Sequence, residues 1–181
     1  MCASAGRRIV DMVWDDLTPQ RILTPAAFDN AIRVHMAMGG STNAIIHVVA
    51  MARRAGLALD MQRFDQISRE IPVLANVRPS GEFLMEDFFY AGGLRALMGE
   101  LKDTLDLDCL TVTGKSIGDN IKGAEVYKRD IIHPFNDPVS SEGATAVLTG
   151  NLAPRGCVMK PSAADKRLLK HRGRAIAFED Y

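Results

Sequence analysis

A glycine-rich run in the first half of the chain has the residue types of an anion-binding loop. The run is Gly39-Gly40-Ser41-Thr42-Asn43, and it stands at the start of an apolar segment with helical periodicity. The backbone N–H groups of a helix start, two hydroxyls and an amide are suited to hold a carboxylate or another anionic group. The same residues are those of a plain glycine stop followed by a serine N-cap. Ser41, Thr42 and Asn43 are therefore candidate substrate-binding residues, with helix capping as the alternative.

Other residues with catalytic chemistry lack the spacing that a site requires. Glu86 and Asp87 are adjacent, and consecutive helical residues diverge by about 100°, so we expect them to be solvated or to cap a helix. The four histidines form no i, i+4 pair and have no carboxylate at a spacing typical of metal sites. We expect His35 and His47 to be hydrogen-bonded core or interface residues. The sequence thus gives no catalytic residue and no metal ligand.

The segment Thr111-Val112-Thr113-Gly114-Lys115-Ser116 ends like a phosphate-binding loop. The pattern GxxxxGK[ST] needs a glycine at position 109, where this chain has Cys109. The structural interpretation of the same residues is a strand, followed by a glycine turn and a short helix capped by Ser116. The nucleotide-binding hypothesis predicts ATP affinity that Lys115→Ala abolishes.

Composition excludes several classes of partner. The chain has 181 residues, of which 47% are apolar and 24% charged, as in an ordinary globular protein. Its formal net charge is zero, which predicts no nucleic-acid partner. No apolar run approaches the roughly 20 residues that span a bilayer, and no export signal is readable, so we expect no membrane partner and a cytoplasmic protein. The three cysteines are odd in number and widely separated, which favours reduced thiols.

The elements that must position these residues divide in the middle of the chain. The first half has helical periodicity with one extended segment, whereas the second half has short β-prone runs separated by turn residues. The 43–54 helix is apolar on most sides, which predicts burial on nearly all faces. The predicted helices are 2–16, 25–39, 43–54, 61–70, 82–90, 94–105 and 163–170. The predicted extended segments are 73–77, 109–112, 144–148, 157–160 and 175–178.

Seven motifs follow one another along the chain: Ala37-Met38-Gly39-Gly40-Ser41-Thr42-Asn43, Pro79-Ser80-Gly81, Met85-Glu86-Asp87, Ala91-Gly92-Gly93, Thr111-Val112-Thr113-Gly114-Lys115, Gly150-Asn151-Leu152-Ala153-Pro154 and Lys160-Pro161-Ser162-Ala163. In this order they resemble those of the dihydroxy-acid and sugar-acid dehydratase family, whose members use an iron-sulfur cluster and magnesium. The resemblance covers essentially the whole chain, but only the middle portion of a family member. We therefore expect an internal fragment.

This resemblance implies an α/β fold class. Residues 1–105 would be the helix-rich C-terminal part of the α/β cluster-binding domain. Residues 106–181 would be the first part of a mainly β, barrel-like C-terminal domain. The family's three cluster cysteines and its magnesium ligands have no counterpart here. Cys2 lacks the glycine-rich surroundings of a cluster ligand, and Cys109 and Cys157 resemble core positions.

The family implies a hydro-lyase that removes water from a vicinal diol acid to give a 2-keto acid. The motifs are more similar to sugar-acid dehydratases of the arabinonate or xylonate type than to the branched-chain dihydroxy-acid enzyme, which remains the alternative. We expect a homo-oligomer at full length. Two other hypotheses stay open: a non-catalytic truncated remnant, and the nucleotide-binding module described above.

Overall fold

The computed structural model describes residues 2–180, without the side chains of Ser162 and Lys166. Helices dominate up to residue 121, and a two-stranded antiparallel sheet follows, in which Val147 lies opposite Val158. The helices are α1 (Cys2–Trp14), α2 (Pro19–Ile22), α3 (Pro25–Met38), α4 (Thr42–Arg54), α5 (Met61–Glu70), α6 (Met85–Tyr90), α7 (Gly93–Glu100) and α8 (Ile117–Ile121). The strands are β1 (Ala146–Leu148) and β2 (Cys157–Met159), followed by 3-10 turns at Pro161–Ala163 and Lys166–Leu168.

Local capping interactions explain where the central helices begin and end. The Ala27 N–H donates to Thr24 Oγ1 at 3.2 Å, and Pro25 occupies the first turn of α3. Gly39 ends that helix with φ of 71°, in the left-handed region that glycine adopts at little cost. The Arg63 N–H donates to Asp60 Oδ1 at 3.1 Å at the start of α5. These boundaries follow from side-chain chemistry that is readable in the sequence.

One hydrophobic core joins residues from both halves of the chain. Ile32 and Met36 of α3 pack with Phe64 of α5 and with the extended segment 73–77. Residues beyond the predicted boundary enter the same cluster, including Cys109, Ile117, Ile121, Ile131 and Ile132. Asn30 of α3, 2% exposed, donates to the Asp106 carbonyl at 2.8 Å and accepts from the Asp106 N–H at 2.9 Å. The core helices and residues 106–132 are therefore packed as one body.

Two faces that the periodicity predicts to be apolar lie open to solvent. Helix α1 has no buried residue, and its Trp14 is 84% exposed. The expected burial of the 43–54 helix on nearly all faces is wrong for the described residues, because α4 buries only Ile45 and Ala52 while Ile46 is 68% exposed. Periodicity identifies residues that share a face, but it carries no information about what covers that face.

The second half contains less regular structure than its sequence predicts. The strands at 144–148 and 157–160 are confirmed in shortened form by β1 and β2. Residues 109–112 instead belong to a loop in which Leu110 bridges Ser116, and residues 175–178 are irregular. The predicted helix at 163–170 is replaced by the two 3-10 turns, in which Asp165 accepts from the Arg167 N–H at 2.9 Å. Such local side-chain bonds compete with helix formation.

Within the described chain, the structure is thus a helix-rich α/β arrangement with one small sheet. No helix in residues 2–180 combines the length and the apolar character that crossing a membrane requires.

Candidate functional site

The turn at residues 39–43 reverses the chain between α3 and α4. The Gly40 N–H donates to the His35 carbonyl at 3.0 Å, which closes the last turn of α3. Ser41 is extended and is the N-cap of α4, because the Asn43 N–H donates to Ser41 Oγ at 3.3 Å. Ser41 and Asn43 are exposed, and Thr42 is half-buried. The capping role expected of Ser41 is therefore present in a turn whose candidate residues face solvent.

Lys160 reaches this turn from the other half of the chain. It follows β2 directly, and its Nζ donates to the Gly39 carbonyl at 2.6 Å and to the Gly40 carbonyl at 3.3 Å. The side chain is half-buried, and burial lowers the pKa of its ammonium group. Among the ion pairs formed by the described residues, none involves Lys160. The turn therefore carries a cation with no carboxylate paired to it, next to the positive end of α4.

His35 lies against the same turn. A Cβ atom added at Gly40 would overlap Nδ1 of this imidazole and lie 2.5 Å from its Cε1, so glycine is required here for close approach. Burial, followed by the positive charge of Lys160, lowers the pKa of His35. Its buried Nε2 has no hydrogen-bond partner among the described residues, which contradicts the expectation of a hydrogen-bonded core histidine. The other histidine of that expectation, His47, is exposed.

Three of the sequence motifs meet at this turn. Ser80 lies beside Gly39, since a Cβ atom placed at Gly39 would be 3.6 Å from Ser80 Oγ. The turn, the 79–81 motif and the start of the 160–163 motif thus form one site, which we call the 39–43 site. Sequence reasoning missed Lys160 and His35 as members of it. The motif containing Lys160 was visible, but a separation of about 120 residues gives no sign of contact.

The carboxylates of the 85–87 motif act elsewhere. The Leu84 N–H donates to Asp87 Oδ2 at 2.9 Å, so Asp87 caps α6 as the capping interpretation predicts.

The loop at 111–116 is closed by its own hydrogen bonds. Asn120 Nδ2 donates to Thr111 Oγ1 at 2.8 Å, and the Thr111 hydroxyl donates to the Lys115 carbonyl at 2.9 Å. The Asp119 N–H donates to Ser116 Oγ at 3.1 Å, which confirms a short helix capped by Ser116. The Thr111 hydroxyl is thus engaged within the loop, and the Ser116 hydroxyl serves as a helix cap.

The cysteines do not fit an iron-sulfur cluster within this chain. Cys109 is buried, and burial followed by the charge of Asp106 raises its pKa. Cys2 and Cys157 are exposed, and for Cys157 this corrects the expected core position. In the two-stranded sheet Cys157 pairs with Leu148, which is also exposed. No further strand among the described residues covers this end of the sheet. Across residues 2–180, no three His, Cys, Asp or Glu side chains are grouped so as to hold a metal ion.

Fold and site together define a helix-rich α/β unit that presents a cationic helix start. Comparison with known proteins then gives the family. Residues 1–120 match the dihydroxy-acid/6-phosphogluconate dehydratase N-terminal family, and residues 130–181 match the corresponding C-terminal family. The chain belongs to the dihydroxy-acid/6-phosphogluconate dehydratase family.

Similar curated proteins include both sugar-acid and dihydroxy-acid enzymes. The L-arabinonate dehydratase of Rhizobium leguminosarum bv. trifolii is 48% identical over 99% of this chain and 31% of its own length. The 6-deoxy-6-sulfo-D-gluconate dehydratase of Pseudomonas putida is 48% identical over 100% of this chain and 32% of its own length. A dihydroxy-acid dehydratase of Caldicellulosiruptor saccharolyticus is 46% identical over 97% of this chain and 32% of its own length. The chain spans about a third of the length of these relatives.

Proposed function

We propose that this chain is the acid-binding part of a hydro-lyase that dehydrates a sugar acid, an aldonate, to a 2-keto-3-deoxy acid. The observation that carries the proposal is the Lys160 ammonium beside the start of α4, which binds two backbone carbonyls and has no carboxylate partner among the described residues. An aldonate is an anion at neutral pH, and a cation next to the positive end of a helix favours a carboxylate. The sugar-acid dehydratases among the relatives support this choice of substrate class.

In this proposal Ser41, Thr42 and Asn43 contact the substrate. The Ser41 oxygen accepts from the Asn43 N–H, and its hydroxyl hydrogen is still able to donate to a carboxylate. Thr42 and Asn43 add a hydroxyl and an amide at the same helix start. Their role is to bind and orient the acid, so that the proton on C2 and the hydroxyl on C3 are presented to the reacting groups. Loss of both as water leaves an enol, which becomes the 2-keto acid.

We further propose that the reacting groups come from parts of a longer protein. An iron-sulfur cluster would supply a Lewis acid and magnesium would hold the substrate, but the three cysteines of this chain do not fit a cluster. The division into a cluster-binding domain at 1–105 and the start of a barrel-like domain at 106–181 belongs to this proposal. We also propose that the full-length protein is cytoplasmic and forms a homo-oligomer.

The alternative is dehydration of a branched-chain dihydroxy acid, which the 46% identity to a dihydroxy-acid dehydratase favours. The two substrates share the carboxylate and the vicinal diol, and they differ in the polarity of the rest of the molecule. A carboxylate site at residues 39–43 suits both, so the choice between them requires an activity measurement.

A segment exchange tests the proposal. Residues 1–181 replace the matching third of the Rhizobium L-arabinonate dehydratase, and formation of 2-keto acid is followed with L-arabinonate and with 2,3-dihydroxyisovalerate. Turnover of the aldonate with a higher kcat/KM than the dihydroxy acid is the expected result. The reverse preference would support the alternative. A folded, cofactor-loaded exchange protein that dehydrates neither acid contradicts the proposal.

Ser41→Ala in the exchange protein separates substrate contact from capping. Ser116→Ala is the matched control, because Ser116 caps α8 in the same way but lies away from the 39–43 site. Both variants should lose about 1 kcal/mol of stability. Only Ser41→Ala should raise KM, and an unchanged KM in that variant would leave Ser41 with capping alone.

A further inference from the structure

We propose that Lys160 is a positioning residue that sets the orientation of the backbone at the start of α4. The inference about ligand affinity rests on the proposed function, whereas the inference about the backbone stands without it. The Lys160 ammonium donates to the backbone carbonyls of Gly40 and Gly39, which lie 120 and 121 positions earlier in the chain. We call this contact the Lys160 bridge.

The geometry of the peptide unit explains why this contact matters. In a trans peptide the C=O and the following N–H point in opposite directions. The Lys160 ammonium binds the Gly40 carbonyl on one side, so the Ser41 N–H is turned to the other side. The bond to the Gly39 carbonyl fixes the preceding peptide unit, which already donates its N–H to the His35 carbonyl. Two successive peptide units leading into α4 are thereby held in one orientation.

Glycine makes this restraint necessary. Gly39 has φ of 71°, and glycine populates more backbone conformations than any other residue, so two successive glycines form the least restrained point between α3 and α4. A charge-assisted hydrogen bond is about twice as strong as a neutral one. The Lys160 bridge therefore restrains the backbone at the position where it would otherwise be most flexible.

The packing of the sheet fixes the lysine. Lys160 follows the last residue of β2, and β1 pairs with β2 and packs on α5. Val147 and Val158 pack against the core. Met61 of α5 and Val158 line the same cavity of about 650 Å³ beside α4. The ammonium therefore comes from a backbone position that the helices hold in place.

Lys160→Met removes the charge and the hydrogen bonds while keeping an unbranched side chain. In 15N-labelled wild-type chain, amide resonances and hydrogen exchange are compared with those of this variant. We expect shifted resonances for residues 40–43 and about tenfold faster exchange there, as for the loss of one charge-assisted hydrogen bond. Exchange in the core helices α3 and α5 should be unchanged. Lys160→Arg should restore part of the protection, and Lys102→Met, at an exposed lysine, should have no effect.

A ligand titration measures the effect of the same variants on substrate binding. L-Arabinonate is added to each variant, and we expect Lys160→Met to weaken binding about tenfold, with a fall in melting temperature of only a few degrees. Unmoved resonances at residues 40–43 would overturn the proposal, and so would an equal loss of protection throughout α3 and α5. If the wild-type chain binds no aldonate but the variant alters residues 40–43, substrate binding by this chain fails and the positioning role stands. If the wild-type chain binds aldonate and the variant binds equally well, the inference about ligand affinity is refuted.

Discussion

Replacing Gly40 with alanine tests the close contact between α3 and the 39–43 turn. The added Cβ would overlap Nδ1 of His35 and lie 2.5 Å from Cε1 and 3.0 Å from Cγ. Every one of these atoms belongs to the half-buried imidazole ring of His35, which would have to rotate away from the turn. Overpacking of this kind costs about 1–3 kcal/mol. For a chain of this length that corresponds to a fall in Tm of roughly 2–12 °C.

The measured cost is a net value, because alanine also restricts the unfolded chain. This effect favours the folded state by about 0.4–1 kcal/mol where the backbone accepts alanine. Gly40 does not have a positive φ, so steric overlap is the term that the substitution isolates. Gly150→Ala is the matched control, since no atom lies within 4 Å of its added Cβ. That control should be neutral or slightly stabilising.

Urea unfolding followed by circular dichroism measures both variants, alone and combined with His35→Ala. Removal of the imidazole opens space for the new methyl group, so Gly40→Ala should cost less in that background by about 1 kcal/mol or more. Equal costs in the two backgrounds would refute the assigned contact. A Gly40→Ala protein as stable as the Gly150→Ala control would refute it as well.

Three further predictions concern polar groups. The lowered pKa of His35 means that the unfolded chain binds this proton more readily, so stability is fully present above pH 6.5 and declines as the pH falls through the lowered pKa; His35→Gln should flatten this decline in urea titrations at several pH values. Asn30→Ala removes two hydrogen bonds to the Asp106 backbone and should cost about 1–3 kcal/mol by the same assay, whereas a loss within 0.5 kcal/mol would contradict this buried pair. Asn120→Ala should raise hydrogen exchange at residues 111–116 and leave exchange in α3 unaltered, and an unaffected loop would show that its bonds to Thr111 are dispensable.

Short-range chemistry accounts for the features that were predictable from sequence. The N-caps Thr24 and Ser41, the glycine end of α3 and the Ser116 cap each depend on residues within four positions of one another. The boundaries of α1, α3, α4 and α5 therefore agree with expectation to within about two residues, whereas the short helix α2 was not predicted. The same reasoning favoured a short helix capped by Ser116 over a phosphate loop at Gly114, because one glycine of that pattern is missing, and the cap is present.

Features that depend on distant partners were not predictable. The outer face of α4 has the same composition whether it is covered or not, and Ile46 is exposed. Short β-prone runs become strands only where a second run pairs with them, which occurs for β1 and β2 but not for residues 109–112. The pairing of Lys160 with the 39–43 turn belongs to this class. A single sequence contains no signal for a contact between a side chain and a backbone carbonyl about 120 residues away.

The 39–43 site combines a locally formed turn with a cation that comes from a distant part of the chain. The turn and its Ser41 cap form from local sequence, but the cation arrives only when β2 is in place. A two-stranded hairpin is marginal by itself, and β1 and β2 have three residues each, so their packing on α5 supplies the stability they lack. Contacts of high sequence separation form only after loop closure has been compensated. The charge at the candidate substrate site is therefore coupled to the docking of the smallest element of the fold, and substitutions that weaken β2 should affect the turn without touching it.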